Sequence, residues 1–160
     1  MKRLLSTLTL ALILAGCSTV ESSLNYTEGT RALSAGQYDL AIDHFKKAVE
    51  LDPNISRNQN NLAAAYFEKG QIRNGWPHVR RAVMLDLRNQ AAQRNFSRYF
   101  RALIDKGMVK KGYSQTVIRT NLGTPDRILE RGEETIWQYG IVGLRFKNGQ
   151  MADYDFVLIQ

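Results

Sequence analysis

Few side chains in this 160-residue chain have the type and spacing for chemistry. Cys17 is its single cysteine, and His44 and His78 are its two histidines, 34 residues apart. A lone thiol closes no intramolecular disulfide and supplies no multi-cysteine zinc site. Histidines at a fixed period are better read as equivalent surface points on a repeat than as a site. Glu133 and Glu134 are adjacent, and neighbouring side chains in a turn or strand seldom face one reacting atom as an acid–base pair must. Neither a phosphate-cradling glycine loop nor a nucleophile elbow is present. The expectation is a non-enzyme with no cofactor and no metal site. Arg94, Arg98 and Arg101 are different: spaced i, i+4, i+7, they share one face of a helix. Their guanidinium forks match the two oxygens of a carboxylate.

Cys17 gains meaning from what precedes it. Lys2 and Arg3 open the chain and residues 4–15, LLSTLTLALILA, form a short apolar run. That is the layout of a secretory signal segment, and it is too short for a membrane span, which needs about 20 residues. Leu14-Ala15-Gly16-Cys17 resembles a bacterial lipobox. The resemblance implies cleavage before Cys17, a diacylglyceryl thioether on its sulfur and an acylated amine. Two or three acyl chains hold a protein on a membrane where one does so only marginally. Ser18 follows where an Asp would suggest inner-membrane retention, so the resemblance places the anchor in the inner leaflet of the outer membrane, facing the periplasm. Residues 1–16 are then a signal peptide and 17–24 a tether. Loss of Lys2 and Arg3 lowers the net charge from +7 to +5. Most of the basic excess lies between Arg94 and Lys111, where contact with headgroups or acidic protein is open; secretion argues against nucleic acid.

The elements that would position the arginines follow from a repeat. FKKAVELD at 45–52 aligns with VRRAVMLD at 79–86, an offset of 34 that also superposes Gly36 on Gly70 and Leu51 on Leu85. Such a period marks stacked supersecondary units. Over 38–51 the apolar residues recur at three- and four-residue spacing, which predicts an amphipathic helix. From Gly36 to Pro53 the pattern G-x-Y-x-x-A-x-x-x-F-x-x-A-x-x-x-x-P resembles a tetratricopeptide repeat (TPR). The second unit departs from it at Gly75, Pro77 and Leu87, so its second helix is expected to start late, capped by Asn74. Residues 90–105, with Ala92, Phe96, Tyr99, Phe100 and Leu103 in one stripe, supply a capping helix. Residues 25–105 thus read as five antiparallel helices.

By resemblance to TPR proteins, the first helix of each unit lines a groove. The lining then comprises Arg57, Asn60, Asn61, Phe67, Arg94, Asn95, Arg98 and Arg101, suited to an acidic segment or free C-terminus of a partner protein. A solvated back of the capping helix is the plainer reading of the same arginines.

Residues 106–160 change character. Ser114 is a good N-cap, Val117, Ile118 and Leu122 form a short apolar face, and Gly123 with Pro125 ends the helix. TIWQYG at 135–140 and residues 143–159 read as strands with a hairpin at Asn148-Gly149. A two-residue loop would set Leu144 against Asp153, so a three-residue loop pairing Leu144 with Ala152 and Phe146 with Gln150 is expected. Gly112-Tyr113-Ser114, Val117, Leu122-Gly123-Thr124-Pro125, Trp137-x-Tyr139 and Phe146-x-x-Gly149 resemble the BamE (SmpA/OmlA) family of outer-membrane lipoproteins. That family implies a helix pair on a three-stranded antiparallel sheet. The class is therefore α+β: helical repeats with a cap, then a small α/antiparallel-β unit. The function implied is that of an outer-membrane lipoprotein adaptor serving an envelope assembly, such as β-barrel insertion or a secretion or pilus machine. Rival readings are a regulator of a periplasmic hydrolase and a peptidoglycan-binding linker.

Overall fold

The computed structural model describes residues 19–156. The signal segment, Cys17 and the last four residues lie outside them. Helices α1 (residues 19–34), α2 (Tyr38–Leu51), α3 (Ser56–Glu68), α4 (Ile72–Leu85) and α5 (Gln90–Asp105) form an antiparallel stack. Helix α6 (Gln115–Leu122) precedes strands β1 (Arg127–Arg131), β2 (Glu134–Tyr139), β3 (Val142–Lys147) and β4 (Gln150–Phe156). The strands form one antiparallel sheet in the order β1-β2-β3-β4. The molecule is α+β, a TPR-like helical region followed by a small sheet.

The repeat is visible in its polar bonds. Ser22 Oγ donates to the Ala48 carbonyl at 3.2 Å, and Ser56 Oγ, 34 residues on, donates to that of Ala82 at 2.9 Å. His44 Nδ1 meets Asn25 Oδ1 at 3.3 Å, while His78 Nδ1 meets Gln59 Oε1 at 2.8 Å. The histidines are therefore equivalent, as their spacing implied. They are not plain surface groups, however: each is half-buried between the paired helices of its unit. The Ser22 bond also moves the start of the repeat. Helix is present from residue 19 and Ser22 is buried, so most of the segment expected as a tether over 17–24 belongs to α1.

Small residues let the paired helices approach. A Cβ on Gly29 would lie 2.7 Å from the Phe45 ring, and one on Gly75 would lie 2.9 Å from the Ala63 carbonyl oxygen. The latter contact explains a departure from expectation in α4. The helix starts at Ile72, with Gln71 rather than Asn74 at its N-cap, and Pro77 sits inside it. Burial of Ile72, Gly75 and Trp76 against its neighbours stabilises a turn that Pro77 alone would discourage. α5 begins where its pattern predicts, and Asn89 Oδ1 accepts the Ala92 N–H at 3.1 Å.

The C-terminal unit corrects three expectations. It has four strands rather than three, because RILER at 127–131 pairs with β2. Its hairpin has two loop residues, Asn148 and Gly149, both left-handed (φ 50° and 73°) as a type I′ turn requires. Phe146 pairs with Met151 and Leu144 with Tyr154, so Ala152 is an extra residue in a bulge. The bulge removes the clash that favoured a longer loop: Asp153 falls opposite Arg145, and Met151 rather than Ala152 enters the core. Val117 is exposed, leaving Ile118 and Leu122 as the buried face of α6. Ser114 caps α6 as expected, accepting from Val117 N–H at 3.4 Å. The stretch Gly112–Ser114 lies along β4: Gly112 N–H donates to the Met151 carbonyl and Met151 N–H to that of Tyr113, both at 2.8 Å. It covers part of an edge that would otherwise invite pairing.

Two apolar clusters result among the described residues. The smaller, with Ala32, Ala41, Ile42, Phe45, Leu62, Ala65 and Tyr66, joins α1, α2 and α3. The larger runs without interruption from Ala63 and Trp76 through Phe96 and Phe100 to Ile118, Trp137, Leu144, Phe146 and Met151. Packing is therefore continuous across residue 105, where a module boundary was expected. The helices facing the sheet are α6 together with α4 and α5 of the stack, rather than a helix pair of the C-terminal unit.

Candidate functional site

The candidate surface is built on α3 and α5. Asn95 Nδ2 donates to Asn60 Oδ1 at 2.9 Å, and Asn60 Nδ2 donates to Asn61 Oδ1 at 3.2 Å. Asn60 is buried and acts as the spacer of this rail. Its half-buried ends keep capacity: Asn61 has amide hydrogens to give and Asn95 a carbonyl oxygen to offer. Such a pair of ends can read the C=O and N–H groups of an extended peptide.

One turn further, Phe67 stacks on Tyr99 with ring centroids 4.0 Å apart, and the Arg98 guanidinium lies over the Phe67 ring at 4.9 Å. Arg98 also pairs with Glu68 at 3.1 Å, so its charge is already compensated in part. Arg94 and Arg101 are exposed, and neither makes an ion pair among the described residues. Arg57 lies over the Tyr26 ring at 5.0 Å, on the α1 side of the rail. An open depression of about 460 Å³ is lined by Phe67, Ser97, Arg98, Arg101, Ala102 and Asp105. A second, of about 290 Å³, shares Ser97 and Arg101 and continues to Phe100, Ile104, Tyr154 and Phe156. Arg101 thus forms the ridge between the helical groove and the rim of the sheet. The structure brings Asn60, Asn61 and Asn95 together, and Phe67 with Arg98; it sets Arg57 and Arg101 at opposite ends.

Burial perturbs two tyrosines and a histidine nearby. Tyr99 is pushed up, by burial first and by the Glu68 charge, against the opposing pull of Arg98. His78 is lowered from 6.5 by burial and by the Lys46 charge, so its ring is neutral near pH 7. Gln59 Nε2 donates to the Pro53 carbonyl at 2.9 Å, which leaves Oε1 facing His78 and makes Nδ1 the protonated ring nitrogen. Among the described residues no group of three His, Cys, Asp or Glu side chains could hold a metal ion.

Sequence reasoning missed the residue that holds stack and sheet together. Arg80 of α4 makes a two-pronged pair with Asp126, Nη2 to Oδ1 at 2.6 Å and Nε to Oδ2 at 3.3 Å. It also donates to the carbonyls of Leu122 (3.3 Å) and Thr124 (2.9 Å) and lies 4.9 Å over the Tyr139 ring. Asp126 Oδ2 accepts the Gly140 N–H at 2.6 Å, and Tyr139 Oη donates to the Gly123 carbonyl at 3.0 Å. Burial pushes the Tyr139 hydroxyl up to about 12, against the pull of Arg80 and Arg119. Gly140, at φ +57°, is pressed against α5, where a Cβ would lie 2.6 Å from Phe96. The signal was the Leu122-Gly123-Thr124-Pro125-Asp126 run, whose two freed carbonyls and one carboxylate need a multi-donor partner.

Comparison with known proteins adds two matches. Residues 29–70 match the TPR repeat model, and residues 1–18 match the prokaryotic membrane lipoprotein lipid attachment site. The chain is 29% identical over 105 residues to small glutamine-rich tetratricopeptide repeat-containing protein 2 of Mycosarcoma maydis, an alignment covering 66% of this chain and 29% of that protein. It spans less than a third of the length of the curated relatives it matches. Among solved structures it is similar to the Arabidopsis OM64 TPR domain, with a TM-score of 0.53 and 19% identity over 56% of this chain and 74% of that one. It is also similar to the first TPR of Spaghetti (RPAP3) bound to HSP90 peptide SRMEEVD, with a TM-score of 0.52 and 24% identity over 54% and 69% of the two chains. The helical region therefore has the TPR fold, and the N-terminal match is that of a membrane-anchored lipoprotein.

Proposed function

We propose that the protein is a non-catalytic outer-membrane lipoprotein, facing the periplasm, that holds an extended acidic segment of a partner in its α3–α5 groove as a subunit of an envelope assembly. The observation that carries this reading is the Asn95–Asn60–Asn61 rail flanked by the uncompensated Arg94 and Arg101. Asparagine amides address the peptide backbone while guanidinium groups address carboxylates. Phe67, backed by the buried Tyr99, adds an apolar wall. The RPAP3 domain of the same fold binds SRMEEVD, a peptide with three acidic residues, which supports the same ligand class here. Ser18 and the BamE-like motif residues support the outer-membrane placement. The four-stranded sheet, fused to the stack through one core, serves as a rigid second docking face.

The test is fluorescence anisotropy with labelled SRMEEVD and its SRMQQVN counterpart. The acidic peptide should bind more tightly, and the preference should fall with salt as exposed charge pairs do. An Arg94→Ala/Arg101→Ala variant should lose the preference while keeping its circular dichroism. Equal binding of both peptides, or an unchanged variant, would remove the groove reading. For the assembly, crosslinked recovery of the lipidated protein should yield a multi-subunit complex; recovery of a single hydrolase or of muropeptides would overturn it.

A further inference from the structure

The lipid attachment site ends at residue 18 and helix is present from residue 19. Only Ser18 lies between Cys17 and Thr19, whose Cα positions are at most about 7 Å apart. α1 is fixed to the body three residues after Thr19, since the buried Ser22 Oγ donates to the Ala48 carbonyl and accepts from Asn58 Nδ2 at 3.2 Å. The same end of the stack is tied across its width. Asn89 Nδ2 donates to Ser56 Oγ at 2.9 Å, Ser56 to the Ala82 carbonyl, and Arg81 Nη2 to Asn54 Oδ1 at 2.8 Å. The start of α1, the α2–α3 turn and the α4–α5 turn therefore form one polar-linked plate. Val20 (61% exposed), Met84 (45%) and Leu87 (37%) present apolar groups there.

From this geometry we infer that this pole of the helical stack is seated on the phospholipid headgroup layer, with the opposite pole turned to the aqueous side. The inference rests on the membrane-anchored reading, and it specifies which face the anchor presses on the bilayer. Anchored through so short a link, the plate is held at the interface, where Val20 and Leu87 reach the apolar edge of the headgroups. α5 then leads away from the membrane for its 16 residues, about 24 Å at 1.5 Å per residue. Lys106, Lys110 and Lys111 follow its far end, well beyond a Debye length of about 8 Å. Those lysines, which end the basic run, are accordingly not the headgroup contact. Arg101, near that far end, stays open to a protein partner.

Because acylation consumes the one native cysteine, single introduced cysteines report uniquely. Leu87→Cys and Asn54→Cys mark the seated pole, Arg31→Cys the far half of α1, and Lys69→Cys and Lys110→Cys the far side. Each lipidated variant is labelled with an environment-sensitive dye and placed in phosphatidylethanolamine–phosphatidylglycerol vesicles containing headgroup spin-labelled lipid. Quenching at residues 87 and 54 should exceed that at 31, 69 and 110 at least about threefold, given the ~24 Å helix length. Flotation of the same samples reports the anchor separately. Co-flotation with quenching that is uniform, or strongest at residue 31 or 110, would overturn the seated pole and leave the anchor standing. Failure of the unlabelled protein to float would overturn both.

Discussion

Replacing Arg80 with alanine tests whether stack and sheet fold as one body. The guanidinium is the partner of Asp126, of two carbonyls freed at the end of α6, and of the Tyr139 ring. Its side chain is 11% exposed and that of Asp126 30%. Breaking a fully buried pair costs about 3–5 kcal/mol, and an exposed one about 0–1. The partial exposure of Asp126 and its retained bond to the Gly140 N–H put this pair between those limits, at about 2–3 kcal/mol. In a domain of this size that lowers Tm by about 5–10 °C. Arg80→Lys keeps the charge but not the fork, and should lose roughly half as much. The assay is urea unfolding of soluble protein beginning at residue 18, followed by far-ultraviolet circular dichroism and by tryptophan fluorescence. Trp76 reports the stack and Trp137 the sheet, and the shared core predicts coincident transitions for both. In an Arg80→Ala/Asp126→Ala cycle the coupling should be about 1–3 kcal/mol. A loss below about 0.5 kcal/mol, strictly additive singles, or two separate transitions would refute the reasoning.

Other perturbations have signs that follow from the same contacts. Gly140→Ala places a Cβ against Phe96 at a left-handed position, and should destabilise by about 1–3 kcal/mol, read as a lower urea midpoint with unchanged slope. Pro77→Ala restores an N–H toward the Arg73 carbonyl in α4, and should raise Tm, since Pro77 is exposed and no packing is lost. His78 is depressed below 6.5 in the folded state, so the unfolded chain takes up its proton first as pH falls. Stability should hold above pH 6.5 and decline below it, and His78→Gln should flatten that slope in unfolding midpoints measured from pH 7.5 to 5. Asn61→Ala should weaken binding of SRMEEVD and of its neutral counterpart by the same factor, because the amide addresses backbone rather than charge.

What could be read from the sequence was local and periodic. Apolar spacing placed α2 over 38–51 and α5 over 90–105, which are also their observed limits, because one packed face decides a helix. A period of 34 correctly implied that His44 and His78 are equivalent. It did not disclose that they are half-buried, since burial depends on how two helices meet. The part of α1 before residue 25 escaped because STVESS is polar and reads as linker, yet Ser22 is buried and bonded to both Ala48 and Asn58. Proline was over-weighted at 77, where the Gly75–Ala63 approach decides the outcome. The hairpin register failed for a related reason. A uniform ladder was weighed against a longer loop, and a bulge at Ala152 satisfies both the Asn148-Gly149 turn and the burial of Leu144. For the candidate site, the repeat register nominated the asparagine and arginine positions. It could not tell that Asn60 is a buried spacer or that Arg98 is drawn to Glu68, because those are pairings between helices. Arg80 is the sharpest case. At the position equivalent to Lys46 in the first unit it looks like one more solvated charge, and only the arrival of the Leu122–Asp126 loop makes it the joint. The capping helix therefore has two occupants: α5 covers the repeat with one flank of its aromatic stripe and bears on the sheet with the other. That double use is why the apolar end of a two-unit stack needs no third repeat in this protein.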